Sequence, residues 1–279
     1  MSTTPTCLAW TCKSPLPTSA TASVRFPPIW FCNALFDLHQ PLAVHLIGAP
    51  LALADADYSK KAWVKFQDIP ALHELPGKVK VVQGSVTSVD PASRTATVVD
   101  HATGLAATHE YDYFVAASGL RRVWPVVPQA LGRKQYLLEA GEHIHTVTNA
   151  RDGVVVVGGG AVGIEMAAEL KMVKPHVSVT LVHSRDKLLS SEGLPDETKD
   201  VALELLKEAG VEVLMEHRLA SSTKVETADG APRYEVVFTN GKTLVASQVV
   251  MAMSKCTPTT SYLPKSAVNA DGYVKIRPK

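Results

Sequence analysis

The chain has 279 residues, a formal net charge of +1 at pH 7, and 46% hydrophobic and 20% charged residues. This is the composition of an ordinary globular protein with room for two modest domains. Lys and Arg are interspersed with Asp and Glu, so no basic face of the kind that recruits nucleic acid stands out. The longest apolar run, PLAVHLIGAPLALADA, is broken by His45, Gly48 and Pro50 and falls short of the ~20 residues of a spanning helix, which argues against a transmembrane segment.

Residues 1–36 contain Lys13 and Arg25, no acid, and many Ser, Thr and Pro without hydrophobic period. They read as a disordered tail, with a transit peptide as the alternative. Cys7 and Cys12 have the C-x4-C spacing of a dithiol redox pair, but nothing ahead of them would seat a flavin. Reduced thiols and a cytoplasmic location are expected, with mitochondrial or peripheral membrane association left open.

From Pro41 to Trp124 short strand patterns alternate with turn chemistry. KVKVVQGSVTSVD and TATVVD, on either side of PAS, predict a meander, and YDYFVAASG predicts a buried strand ending in small residues. From Asp152 the pattern becomes strand and helix in alternation. Val154 to Val157 is a buried parallel strand, Ala161 to Met172 a helix, and Val177 to His183 the next strand. A second helix begins at Pro195 and Asp196, carries Val201, Leu205 and Ala209 on one face, and stops at Gly210. VEVLM is the third strand. Asn240 and Gly241 predict a hairpin within YEVVFTNGKTLVA, and QVVMAMS closes the unit.

The chemistry concentrates in VVVVGGGAVG. Gly158, Gly160 and Gly163 have GxGxxG spacing directly after a strand and at the opening of a helix, which is the context of a dinucleotide site. Gly158 would permit the tight turn, Gly160 the approach of a pyrophosphate to the backbone, and Gly163 close packing of helix on strand. At the end of the second strand, where an acid would bind a ribose 2′-hydroxyl, stands His183, followed by Ser184, Arg185 and Lys187. Arg185 or Lys187 would pair with a 2′-phosphate, or both are solvated loop charges; NADH against NADPH stays open. Glu165, read as lying on the first helical turn, either answers the helix dipole or orients a nicotinamide carboxamide.

VVVVGGGAVGIEMAAELK, VSVTLVHS, LLKEAGVEVLMEHRL and FTNGKTLVASQVV together resemble the nicotinamide domain of the pyridine nucleotide-disulfide oxidoreductase superfamily. The GIEMAAELK helix and the His-Ser end of the second strand are most similar to its apoptosis-inducing-factor-like, ferroptosis-suppressor-like group. That resemblance implies an FAD-dependent enzyme oxidising NAD(P)H and passing electrons to a quinone, without an active-site disulfide; some fungal members accompany secondary metabolism. YSKKAWVKF, VKVVQGSVTSVD and YDYFVAASGLRRVWP resemble the later part of the FAD domain. By that likeness Ser118 and Gly119 lie against the flavin nucleotide, and the Val86 backbone meets adenine.

The departures are equally specific. No strand, GxGxxG and helix for FAD stands between Met1 and Val44, and HLIGAP has one glycine and no helix pattern after it. Met253, Ser254 and Lys255 replace the glycine usual after the last strand, and DGYVKI ends before the Gly-Asp segment that holds the flavin in relatives. The expected fold is α/β with two Rossmann-like domains, the NAD(P) domain inserted in a truncated FAD domain. The divisions are an atypical segment over 1–40, a partial FAD domain over 41–125, the NAD(P) domain over 126–250 and a truncated return over 251–279. Two functions follow: a flavin-dependent NAD(P)H oxidoreductase, with a homo-oligomer left open, or a non-catalytic NAD(P)-binding relative acting through its interfaces.

Overall fold

The computed structural model describes residues 9–12, 32–33, 35–37, 42–44, 48–65, 68–70, 80–82, 84–122, 124, 133–226, 230–231, 233–253 and 256–276. They form two compact units, one from 1–43, 64–121 and 256–279, the other from 44–63 and 122–255.

The second unit is built on four short parallel strands, β1 (Val154–Val157), β2 (Val179–Val182), β3 (Glu212–Leu214) and β4 (Gln248–Met251), in the order β3-β2-β1-β4. β1 is central and all four of its valines are buried. Because successive side chains point to opposite faces, Val154 and Val156 enter one core with Met166, Ala167 and Leu170, while Val155 and Val157 enter another with Val236, Phe238 and Ala246. The first core is roofed by helices α1 (Arg133–Thr148), α2 (Ala161–Val173) and α3 (Asp196–Glu208). The second lies under an antiparallel sheet of Leu219–Val225, Arg233–Phe238 and Thr243–Ala246. Gly241, at φ +80°, makes the turn between the last two strands, at the predicted Asn-Gly hairpin.

α3 ends as its sequence requires. Gly210 adopts φ +82°, the Gly210 amide donates to the Lys207 carbonyl, and the Val211 amide donates to that of Leu206. Its buried face differs from the expected one. Leu206 is fully buried with Leu203 beside it, whereas Val201 and Leu205 are 51% and 58% exposed. Local spacing identifies a helix face, but which face is covered depends on the sheet it meets. α1 was not anticipated: Gly141 and its many polar residues hide a stripe of Tyr136, Ala140, Ile144 and Val147, all buried.

After Gly48 the chain forms helix Ala49–Ala52, then Ala56–Lys61, whose N-terminal amides of Asp57 and Tyr58 donate to Oδ1 of Asp55. HLIGAP is therefore followed by a helix after all. Leu53 and Ala54 between them reach the core of Met166 and Leu170, which places Val44–Trp63 with the parallel-sheet unit.

In the first unit Gly84–Asp90, Thr95–Asp100 and Ala106–Glu110 form the predicted antiparallel meander. It closes over Val86, Val89, Ala96, Val98, Tyr111 and Tyr262. Tyr113–Ala116 is a strand, yet Tyr113 and Val115 are 57% and 51% exposed, so the burial expected of YDYFVAASG is not realised along it. It pairs antiparallel with Ala9–Cys12, a strand inside the segment expected to be disordered. A ladder partner about a hundred residues away leaves no local period. Cys7 lies outside the described residues, and with it the question of a Cys7–Cys12 pair.

Candidate functional site

The turn from β1 into α2 rests on close backbone contacts at its two outer glycines. Gly158 follows β1 at φ +123°, and a Cβ there would lie 2.5 Å from the Ala252 carbonyl oxygen. A Cβ on Gly163 would collide with the carbonyl of Gly158, so the first turn of α2 sits directly on the end of β1. Gly160 is the N-cap, offers no side chain to cap the helix, and has nothing within 4 Å of where a Cβ would stand. The 13-residue helix thus has open space where an N-cap side chain would stand, beside the positive end of its dipole.

The glycine between them is held on three sides. The Gly159 amide donates to Nδ1 of His183 at 3.1 Å, and the Gly159 carbonyl accepts from the Leu189 amide at 2.8 Å. A Cβ would stand 2.6 Å from Leu188 Cδ2 and 2.7 Å from His183 Cγ. Since Nδ1 accepts an N–H, the ring is the tautomer with hydrogen on Nε2, which donates to Ser190 Oγ at 3.0 Å. Burial holds this imidazole below its usual pKa, with the Arg185 charge acting in the same direction; a backbone hydrogen bond at Lys187 and the Asp186 charge oppose them. His183 is therefore turned in against the glycine turn.

The other residues singled out by sequence divide between the two units. Arg185 is exposed and donates from a guanidinium nitrogen to the Ser190 carbonyl at 3.1 Å. Lys187 is paired with Asp196 and Asp200 of α3, each at 3.2 Å. Glu165 is exposed on α2, but the helix begins at Ala161 and its first turn holds no acid. Glu165 thus sits in the second turn, where the dipole effect has faded. In the first unit Val86 is buried in the meander core beside a register shift. Ser118 Oγ donates to the Thr259 carbonyl at 3.1 Å and lies 3.1 Å from Tyr262 Oη. Gly119, at φ +66°, is exposed, and its carbonyl accepts from Thr259 Oγ1 at 2.8 Å. Sequence reasoning missed Gly159, Thr259 and Tyr262; the extra, middle glycine of GGG was the available signal for the first.

Among the described residues no group of three His, Cys, Asp or Glu is placed to hold a metal ion. No helix there is long and apolar enough to cross a membrane.

The profile of the pyridine nucleotide-disulphide oxidoreductase family matches residues 30–278. The chain belongs to this family. Among curated relatives, oxidoreductase OXR1 of Ajellomyces capsulatus is 52% identical over 83% of this chain and 50% of its own length. FAD-dependent oxidoreductase FVFD30 of Flammulina velutipes is 32% identical, over 72% and 59%. Ferroptosis suppressor protein 1 of Mus musculus is 28% identical, over 74% and 52%. The chain therefore spans about half the length of the curated relatives it matches. The fold is similar to that of an NAD-dependent persulfide reductase from A. fulgidus, with TM-score 0.58 at 20% identity over 82% of this chain and 42% of that one. It is also similar to a water-forming NADH oxidase from Lactobacillus brevis, with TM-score 0.58 at 19% identity over 82% and 49%.

Proposed function

We propose that the chain serves an FAD-dependent NAD(P)H oxidoreductase, with the β1–α2 turn as the nicotinamide dinucleotide site and a quinone or similar small molecule as the final electron acceptor. The observation that carries this reading is the open N-terminus of α2 over Gly160, where no Cβ or capping side chain keeps a pyrophosphate from the helix amides. Gly158 and Gly163 fix the height of that helix above β1. Arg185, exposed at the end of β2 with no acid in the position of His183, favours the 2′-phosphate of NADPH. Glu165, exposed on the second turn, is assigned to the carboxamide end of the nicotinamide.

For the flavin, the Gly119 turn fits: it is exposed, has nothing within 4 Å of a Cβ, and is clamped from behind by Thr259. Ser118, Gly119 and the backbone at Val86 are assigned to it. When bound, nicotinamide supplies a hydride and flavin accepts it. The side chains of the two sites bind and orient, and none is required to carry a proton.

An absorbance spectrum of the purified chain, before and after NADPH under anaerobic conditions, tests this. Flavin bands that bleach on NADPH support the reading; a colourless protein that binds NADPH leaves the dinucleotide site and removes the flavin reaction.

A further inference from the structure

Gly159 and His183 carry no assigned contact to the dinucleotide, yet they are locked to each other. Gly159 is the variable position of GxGxxG, where side chains are ordinarily tolerated. Here a Cβ would meet His183 Cγ at 2.7 Å and Leu188 Cδ2 at 2.6 Å, so the middle glycine leaves room for the imidazole. The ring in turn accepts the Gly159 N–H at Nδ1 and donates its Nε2–H to Ser190 Oγ, while the Leu189 amide donates to the Gly159 carbonyl. The residue at the end of β2 is thereby anchored to the phosphate turn.

We propose that His183 is a positioning residue for the dinucleotide: its neutral Nε2–H tautomer holds the Gly159 peptide, and through it the Gly158–Gly163 turn, in the shape that receives the pyrophosphate. The proposal rests on the dinucleotide reading of the site. It makes binding sensitive to protons in one direction. An imidazolium carries N–H on both nitrogens and cannot accept from Gly159, so protonation sets two donors face to face and releases the turn. The charged groups around the ring are Arg185 and Asp186 on its own loop and Lys187, paired with Asp196 and Asp200 of α3. On the β3 side Glu216 and His217 follow, their amides donating to the carbonyls of Arg185 and His183. The glycine turn itself contributes no charge.

The test is dissociation constants of the 279-residue chain for NADPH and for NADH, measured from pH 8 down to about pH 5, with long-range proton–nitrogen NMR of the histidine rings. In the parent chain, affinity falls about tenfold as pH drops below the ordinary histidine value of 6.5, and the NMR shows the Nε2–H tautomer above the step. His183→Asn, whose Oδ1 stands where Nδ1 stood, keeps the high-pH affinity and loses the step. His183→Phe, which fills the space without an acceptor, binds about tenfold more weakly at every pH. His217→Asn leaves the step in place. A step that persists in His183→Asn, normal affinity in His183→Phe, or tighter binding on acidification overturns the proposal, the last by making His183 a direct cationic contact. Binding with no step overturns this proposal alone; a parent chain that binds neither nucleotide at any pH overturns the site reading with it.

Discussion

Gly158 and Ala252 meet so closely at the ends of β1 and β4 that a single methyl group would fall 2.5 Å from the Ala252 carbonyl oxygen. At φ +123° the backbone is also one that L-residues rarely adopt. Gly158→Ala is therefore expected to cost a few kcal/mol, from strain and displacement together. Dinucleotide affinity should drop by more than tenfold, read by fluorescence titration with NADPH. Gly160→Ala has open space at the same distance and should fold normally; its loss would be confined to nucleotide binding.

The helix α3 offers a sharp contrast between adjacent leucines. Leu206 is buried at 2% exposure and Leu205 is 58% exposed. Leu206→Ala should lower unfolding free energy by about 2–5 kcal/mol, whereas Leu205→Ala should stay within about 0.5 kcal/mol. Urea denaturation of both variants separates the observed face from the one suggested by Val201, Leu205 and Ala209.

Thr259 ties the C-terminal stretch of the first unit to the Gly119 turn by its Oγ1 hydrogen bond to the Gly119 carbonyl. Thr259→Val keeps the volume and removes the donor. A loss of about 1 kcal/mol in stability is expected, together with weaker retention of flavin, checked by thermal denaturation and by the absorbance of the purified variant.

His143 lies beside a small apolar cavity lined by Leu53, Val156, Met166 and Leu170, with its ring edge-on to Trp124. Burial lowers its pKa from 6.5 to about 4. Below pH 6.5 an unfolded chain takes up a proton that the folded one refuses, so the unfolded state binds more protons and stability declines as pH falls, levelling below about 4. The shift corresponds to a decline on the order of 3 kcal/mol. His143→Phe should flatten the difference between urea midpoints at pH 7 and pH 4.5, and an unchanged slope would assign the decline to other groups.

The elements legible in sequence are those whose cause is local. Four valines ahead of GGG, Gly210 after a helical run and Asn240-Gly241 between alternating strands each specify backbone geometry within a few residues. The surroundings of Lys187 and Glu165 are set by the folded chain. A lysine after β2 looks free until α3 brings Asp196 and Asp200 to it, and a glutamate near the last glycine looks like a first-turn residue until the helix start is placed at Ala161.

By itself, the sequence determined that a strand, a glycine turn and a helix create a helix N-terminus with no side-chain cap, because strand burial, positive φ and the lack of a Cβ are properties of consecutive residues. Only the tertiary structure decided where the His183 ring points, that the middle glycine leaves room for it, that Ala9–Cys12 pairs with Tyr113–Ala116, and that Leu206 rather than Leu205 enters the core. Each of these is a contact between residues far apart in the chain or a choice between adjacent faces. Such outcomes follow from what lies opposite in space, which no window of local sequence contains.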